Sequence, residues 1–362
     1  MPSLLVTGGA GFIGANFARY WSERHVGDPV VILDALTYAG RRSRIADLEA
    51  SGAVRFVRGD VRDRALVETL LVDEDLDTIV HFAAESHVDR SLRTPGDFVS
   101  TNVVGTHTLL EAARRIWLDR GTGRPHRFHH VSTDEVFGAL TPEEPPFTEE
   151  SRYAPSSPYS ASKAGADHLV RAYHTTYGLD TTTTHCSNNY GPYQFPEKLV
   201  ALFLVNVLRG KPLPLYGDGL QVRDWLHVED HCRALELVLG ADGAGRTFLV
   251  GGEGERSNLD VVHQLCDAID RALDGSPAWT ARFPDTPRAV GGRARDLVRF
   301  VEDRPGHDRR YAVNDDRIRR LLGYRPRWGL DEGLQATVEW YLRHPDWWEP
   351  LLDEGCVADR LG

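Results

Sequence analysis

The stretch LLVTGGAGFIG, residues 4–14, decides the fold. LLVT reads as a buried strand, and the glycines follow it at once. FIGANFARYWSER (12–24) then carries the i, i+3, i+4 apolar spacing of a helix. A strand, a glycine turn and a helix in immediate succession let the backbone approach a pyrophosphate, which rests on the helix N-terminus. Gly8, Gly11 and Gly14 fall in that turn, and Gly9, Gly11 and Gly14 satisfy G-x-G-x-x-G. Asp34 closes the next strand, VVILD (30–34). A carboxylate there accepts hydrogen bonds from an adenosine ribose and repels a 2′-phosphate, so the pattern points to NAD rather than NADP. Arg41 and Arg42 nearby pull the other way. Asp60 and Val61, in the RGDV turn after the third strand, are placed to flank an adenine.

Outward from that turn, short apolar runs alternate with helical patterns. SLLVT (3–7), VVILD (30–34), VRFV (54–57), TIVHFAA (78–84), FHHVST (128–133) and TTTTHCS (181–187) read as strands, with RALVETLLVD (64–73) and VVGTHTLLEAARRIW (103–117) as helices between them. This predicts an α/β chain, a Rossmann-type doubly wound parallel sheet with ligands at the carboxyl ends of its strands. The second half is rich in Pro and Gly, as in YGPYQFPEK (190–198) and GKPLPLYGDG (210–219), and reads as a smaller, loop-rich α/β substrate domain. The expected division is an NAD-binding domain over 1–185 and mainly the substrate domain over 186–362, with later segments returning to the first. Segment 274–296 is the least structured by pattern, a surface loop or a flap.

The formal net charge of −11 argues against non-specific nucleic-acid binding. No stretch approaches the ~20 apolar residues of a membrane span, and no signal peptide is expected at the N-terminus. Cys186, Cys232, Cys266 and Cys356 lie far apart without a CxxC pair, which suits reduced thiols in a cytoplasmic protein better than disulfides or zinc. His129 and His130 do not suggest a metal pair, because adjacent strand residues face opposite sides.

Tyr159 and Lys163, in YSASK (159–163), are four apart on a predicted helix and share a face. A phenol acts as a base only when ionised, and bringing its pKa from ~10 to neutrality takes about 4 kcal/mol. A nearby ammonium can supply that shift. Lys163 can also hold the nicotinamide ribose.

VSTDEVFG (131–138) sets Thr133, Asp134 and Glu135 side by side at the end of a predicted strand, where alternation would send the two carboxylates to opposite faces. Ser132 and Glu135 fit a capping box. The following VFGALTPEEPPF does not continue as a helix, however, and Pro142 forbids it. The reading adopted is a strand ending at about Ser132, with all three residues on a turn from which both carboxylates reach one substrate.

With LTYAG (36–40), HFAAESHVDRS (81–91), CSNNYGPYQFPEKL (186–199), YGDGLQVRDWLHVEDH (216–231) and DRPGHDRRYA (303–312), these motifs resemble the extended short-chain dehydrogenase/reductase family. Within it the chain looks most like the dTDP-glucose 4,6-dehydratases, over nearly its whole length. The resemblance implies a tightly bound NAD, regenerated each turnover, with Phe12, Ile13, Leu36, Thr37, Phe82, Ala83, Ala84, Glu85, Ser86, Thr101 and Asn189 joining the residues above around it. It implies dTDP-glucose as substrate, met by Ser86, Thr133, Asn188, Lys198, Leu199, Pro214, Tyr216, Arg223, Asn258, Arg304 and His307. It also implies a homodimer made by pairing helices 103–117 and 159–177 into a four-helix bundle.

The implied chemistry is oxidation at C4, elimination of water across C5 and C6, and hydride return to C6. Tyr159 takes the 4-OH proton and Thr133 hydrogen-bonds the 4-oxygen. Glu135 removes the C5 proton and Asp134 protonates the departing hydroxyl. The order of those two carboxylates comes from the resemblance alone. Arg41 stands where relatives often have Asn, and 274–296 looks longer than usual. A nucleotide-sugar 4-epimerase or decarboxylase on the same scaffold is the competing enzyme reading, but neither reaction needs a C6 leaving group or the paired acids. A non-catalytic NAD-binding regulator is the third, and the intact Thr133, Tyr159 and Lys163 set speaks against it.

Overall fold

The computed structural model describes residues 2–353. Seven parallel strands form its central sheet: β1 (Leu4–Thr7), β2 (Val30–Asp34), β3 (Arg55–Arg58), β4 (Thr78–His81), β5 (Arg127–Thr133), β6 (Thr181–Cys186) and a seventh, Arg246–Val250, from the second half of the chain. Their spatial order is Arg246–Val250, β6, β5, β4, β1, β2, β3. The order reverses at β1, between β4 and β2, and such a switch point opens a crevice at the strand carboxyl ends. β1, β2, β4 and β6 are buried along their whole length, as helices on both faces require, whereas the edge strand β3 exposes Arg55 and Arg58.

The helix Pro158–Tyr177 packs behind β5 and β6. Its start is fixed by a reciprocal cap: Ser160 N–H donates to Ser157 Oγ and Ser157 N–H donates to Ser160 Oγ, both at 3.1 Å. Pro158 fits the first turn, and Gly178 ends the helix in the left-handed region at φ 73°. The predicted helix at 103–117 is part of a longer helical run, 95–121, with wider π-type turns at Val99–Gly105 and Arg114–Gly121.

The second half builds its own core from the helices Leu199–Leu208, Asn258–Asp274 and Leu330–Arg343. Three two-stranded pieces accompany them: Asn188–Tyr190 with Trp225–His227, Val222–Arg223 with Arg256–Ser257, and Leu213–Tyr216 with Val298–Val301. Segment 274–296 is less open than its sequence suggested. It holds a short helix, Pro277–Arg282, and a 3₁₀ turn, Pro287–Val290, anchored by Phe283 stacked on Trp348 and by the ion pairs Arg288–Asp274 and Arg295–Asp267. Pro at the start of each turn marks these elements, but turns this short show no apolar period.

Cys186, Cys232 and Cys266 are buried free thiols, and Cys356 lies outside the described residues. Among the described residues no helix is long and apolar enough to cross a membrane, and no cluster of metal-ligating side chains occurs. His129 faces Thr182 and Thr184 while His130 faces Lys163, the opposite orientations expected of strand neighbours.

Candidate active site

One cavity runs along the crevice at the strand carboxyl ends. Its first wall is the glycine turn. Gly8 has φ 70°, and a Cβ there would lie 2.6 Å from Ala83 N; a Cβ on Gly14 would collide with the Gly8 carbonyl oxygen. Both positions therefore need glycine. The helix Phe12–Arg24 opens at Gly11 with no side-chain cap and no acid in its first turn, so its N–H groups stay available to an anion. Asp34 is fixed by two backbone donors, Ala10 N–H to Oδ2 at 3.0 Å and Leu36 N–H to Oδ1 at 2.8 Å. Arg42, one of the two residues that argued for a 2′-phosphate, is committed to both oxygens of Glu49 at 2.8 and 2.9 Å. A cradle without side chains, an open helix start and a strand-end acid fit NAD.

The same cavity is lined by Gly8, Gly11, Phe12, Ile13, Gly14, Asp34, Thr37, Asp60, Val61, Phe82, Ala83, Ala84, Glu85, Ser86, Thr101 and Asn189. Leu36 does not line it; its part is to clamp Asp34, at φ 54°.

Farther along lie Thr133, Asp134, Glu135, Tyr159 and Lys163. β5 runs one residue past the expected end, to Thr133, and Asp134–Phe137 then forms a single 3₁₀ turn. The capping idea thus holds in altered form. Thr133, not Ser132, is the cap, its Oγ accepting from Glu135 N–H at 3.3 Å, while Ser132 Oγ donates to Asp167 at 3.0 Å. The turn releases the two acids from strand alternation, and both reach the cavity.

Burial raises Asp134 well above the carboxylate range, and the Glu135 and Asp224 charges push it further. Burial also raises Glu135, but Arg304, Lys198 and Arg223 oppose it. Asp134 thus holds a proton more readily than Glu135, a difference the sequence could not supply. Asp134 Oδ1 accepts from Thr133 Oγ at 3.4 Å, and its Oδ2 is buried with no hydrogen-bond partner among the described residues.

Tyr159 departs from its sequence expectation. Burial, then the Glu135 charge, pushes its phenol well above 10, and a hydrogen bond with Thr133 offsets this in part. Lys163 Nζ instead donates to the Val131 carbonyl at 2.8 Å, and burial brings it down to about 8.

On the substrate side, Ser86, Asn188, Lys198 and Leu199 line the cavity, and Lys198 Nζ donates to Ser86 O at 2.8 Å. Pro214, Tyr216, Arg223, Asn258, Arg304 and His307 lie outside its lining. Several of these still gather beside it. Arg304 Nη1 donates to Asp89 at 3.0 Å, Tyr216 OH to the same carboxylate at 3.2 Å, and the Tyr216 and His307 rings meet edge to face at 6.1 Å. Arg223 stacks over Tyr311 and, with Arg304, acts on Glu135. Asn258 N–H donates to Gln221 O, and Pro214 pairs in register with Arg299.

Sequence reasoning missed Arg44, Glu197, Asp89 and Asp167. Arg44 is fully buried in the cavity wall and donates to the carbonyls of Ala10 (2.8 Å), Tyr193 (3.1 Å) and Ala39. Glu197 accepts from Tyr38 OH at 3.2 Å, and its Oε2 is buried without a hydrogen-bond partner among the described residues. Nothing in RRSR marks Arg44. Asp167, in contrast, continues the four-residue spacing of Tyr159 and Lys163.

A nucleotide cradle leading to a buried tyrosine, lysine, threonine and pair of acids defines a nicotinamide-dependent enzyme of the Rossmann class. The family model described as GDP-mannose 4,6 dehydratase matches residues 5–337. The dTDP-glucose 4,6-dehydratase of Neisseria meningitidis serogroup B is 48% identical, over 100% of this chain and 99% of its own. The Escherichia coli protein of the same name is 45% identical, over 99% of each. The structure of the dTDP-glucose 4,6-dehydratase DesIV from Streptomyces venezuelae, with NAD and TYD bound, superposes with a TM-score of 0.84 at 46% identity, covering 96% of this chain and 99% of that one. A Thermotoga maritima UDP-glucose 4-epimerase reaches 0.79 at 25% identity, covering 94% and 99%. The chain belongs to the NAD-dependent epimerase/dehydratase, or extended short-chain dehydrogenase/reductase, family, in its dTDP-glucose 4,6-dehydratase branch.

Proposed function

We propose that this chain is an NAD-dependent hydro-lyase that converts dTDP-glucose to dTDP-4-keto-6-deoxyglucose for deoxysugar biosynthesis. The observation that carries the reading is the Asp134–Glu135 pair, both acids in one cavity with Tyr159 and differing in proton affinity. NAD, when bound, supplies the hydride acceptor for C4 and the hydride donor for C6.

The chain's own residues handle the protons. Tyr159 takes the proton of the 4-hydroxyl, while Thr133 hydrogen-bonds the 4-oxygen. Lys163, one helical turn from Tyr159, supplies the cation that favours a phenolate. The 4-ketone acidifies C5–H, and Glu135 removes that proton. Asp134, held neutral by its burial, gives its proton to the departing C6 hydroxyl. Glu135 then returns its proton to C5. Lys198, Arg223 and Arg304 provide the charge-assisted donors that a diphosphate needs, and Tyr216 an aromatic face for a base.

By this reading residues 1–185 bind NAD together with the strand Arg246–Val250, and most of 186–362 binds the nucleotide sugar. A homodimer fits the exposed Val99 and Val104 on the helical run 95–121 and Tyr177 on the neighbouring helix, which give an apolar face for a second copy. Unpaired thiols at Cys186, Cys232 and Cys266 suit a cytoplasmic setting.

Incubation of the purified protein with dTDP-glucose and no added NAD, followed by mass spectrometry, tests the reading. Loss of one water without net cofactor reduction is expected. Formation of dTDP-galactose at unchanged mass would overturn it in favour of a 4-epimerase. No change with any nucleoside diphosphate sugar would leave a binding protein.

A further inference from the structure

Beneath the Tyr159–Lys163 pair lies a buried polar layer that the proposed chemistry does not use. Asp167 sits one turn beyond Lys163 on the same helix, and both are almost fully buried, at 5% and 4% exposure. The Asp167 carboxylate is met by three polar side chains from two strands. From β5, Ser132 Oγ donates at 3.0 Å and His130 Nε2 stands 3.1 Å from Oδ1; from β6, His185 Nε2 stands 2.8 Å from Oδ2. Tyr153 closes the far side, its OH 3.0 Å from His185 Nε2.

His130 is the link to Lys163. Its Nε2 lies 3.4 Å from Lys163 Nζ and 3.1 Å from Asp167 Oδ1. The same ring nitrogen therefore touches both the ammonium and the carboxylate. Lys163 donates one N–H to the Val131 carbonyl and a second, at 3.4 Å, to His130 Nε2, and its side chain lines the cavity.

The other groups facing Lys163 bring no negative charge. His81 and His130 are held neutral by burial. Cys186 stays a thiol, its pKa pushed up to about 12 by burial, and burial also raises the Tyr159 phenol, which the proposed chemistry ionises only for its proton transfer. Burial alone would raise Asp167 too, but its His185 and His130 contacts hold it below the usual carboxylate range. An isolated ammonium at this depth would lose its proton rather than remain charged.

We propose that Asp167 is a positioning residue for the catalytic pair: its buried carboxylate, acting through the His130 ring, is the counter-charge that keeps Lys163 an ammonium facing the cavity. Its catalytic meaning rests on the proposed role of Lys163. Its test does not, because the charge on Lys163 is read directly.

The chain has only three lysines, Lys163, Lys198 and Lys211, so protein labelled with ¹³C at the lysine ε-carbon gives three signals. The Lys163 signal is the one lost in Lys163→Met. In Asp167→Asn the Lys163 midpoint is expected to move toward acid by at least one pH unit, a tenfold fall in proton affinity, with Lys198 and Lys211 unmoved. Asp167→Glu restores it. An unchanged Lys163 midpoint in a folded Asp167→Asn protein overturns the proposal, whether or not the protein turns over dTDP-glucose. Should Asp167→Asn fail to fold, the Lys163→Met/Asp167→Asn protein decides. Charge pairing predicts that removing both partners recovers the folded state; a double variant no more stable than Asp167→Asn overturns it.

Discussion

Asp134 lies against the charges of Glu135 and Asp224, opposed by the Arg223 cation, whereas its chain neighbour Glu135 stands in the field of Arg304, Lys198 and Arg223. Burial raises both carboxyls, and the charges around them separate the two. One short turn after β5 thus gives two adjacent carboxyls different surroundings, the division that the proposed elimination across C5 and C6 demands.

That division fixes the signs of the pH profile. In the proposed mechanism Glu135 works ionised, so the rate of water loss is expected to fall as pH drops through its pKa. Asp134 in that mechanism works protonated, so the rate is expected to fall as pH rises through its own, higher one. Asp134→Asn is expected to remove the basic limb of kcat against pH and Glu135→Gln the acidic limb, each lowering kcat by about 10²–10⁴-fold. Glu135→Gln should still oxidise C4, so absorbance at 340 nm rises and stays high after substrate is added. A Glu135→Gln protein that shows no such rise would place Glu135 in the oxidation step instead.

The glycine turn makes a separate prediction. A methyl group at Gly14 meets the Gly8 carbonyl, which cannot yield without reshaping the loop. Gly14→Ala is expected to leave the purified protein with under about one-tenth of its NAD, a loss of about 1.4 kcal/mol or more in binding. Gly96→Ala, where a Cβ meets nothing within 4 Å, is the control and should keep full occupancy. Cofactor released by heat and measured by absorbance gives the answer. Normal NAD content in Gly14→Ala would mean that the loop is softer than its contacts imply.

Arg44 makes a stability prediction. Its buried guanidinium satisfies carbonyls from the glycine turn (Ala10), the segment after β2 (Ala39) and the second half (Tyr193), and it stacks against Trp347. Arg44→Met keeps the bulk but leaves those carbonyls without their donor. The expected cost is about 3 kcal/mol, the scale of losing charge-assisted bonds in a buried site. It reads as a lower urea midpoint at unchanged slope. A midpoint within error of the parent would show that the carbonyls find other donors.

The sheet could be read from the sequence because its strands are short apolar runs between strong helical periods, and LLVTGGAGFIG ties the first of each to a glycine turn. The side chains proposed for catalysis could be singled out for the same reason: Tyr159 and Lys163 share a helix face, and Thr133, Asp134 and Glu135 follow a strand. What stayed hidden depends on tertiary contact. The strand Arg246–Val250 joins β6 across 59 intervening residues, which no local period can reveal. Arg44 looks like one more surface arginine in RRSR until the fold closes over it. The difference between Asp134 and Glu135 waits on Arg304 and Lys198, which come from distant segments.

Asp89 supplies the last prediction. It belongs to HVDRS in the first half, yet its two oxygens hold Arg304 at 3.0 Å and the Tyr216 hydroxyl at 3.2 Å in the second. These are two of the residues proposed to receive the nucleotide. Asp89 does not line the cavity, so its loss should disturb where the nucleotide sits and leave the proton chemistry alone. Asp89→Asn keeps the shape but removes the charge that fixes Arg304. The expected result is a KM for dTDP-glucose raised by about five- to a hundredfold, corresponding to about 1–3 kcal/mol, with kcat close to the parent value. That split marks binding lost equally from ground and transition states. Steady-state kinetics with dTDP-glucose separate the two constants. A fall in kcat at constant KM would mean that Arg304, through its effect on Glu135, serves the elimination step more than the nucleotide.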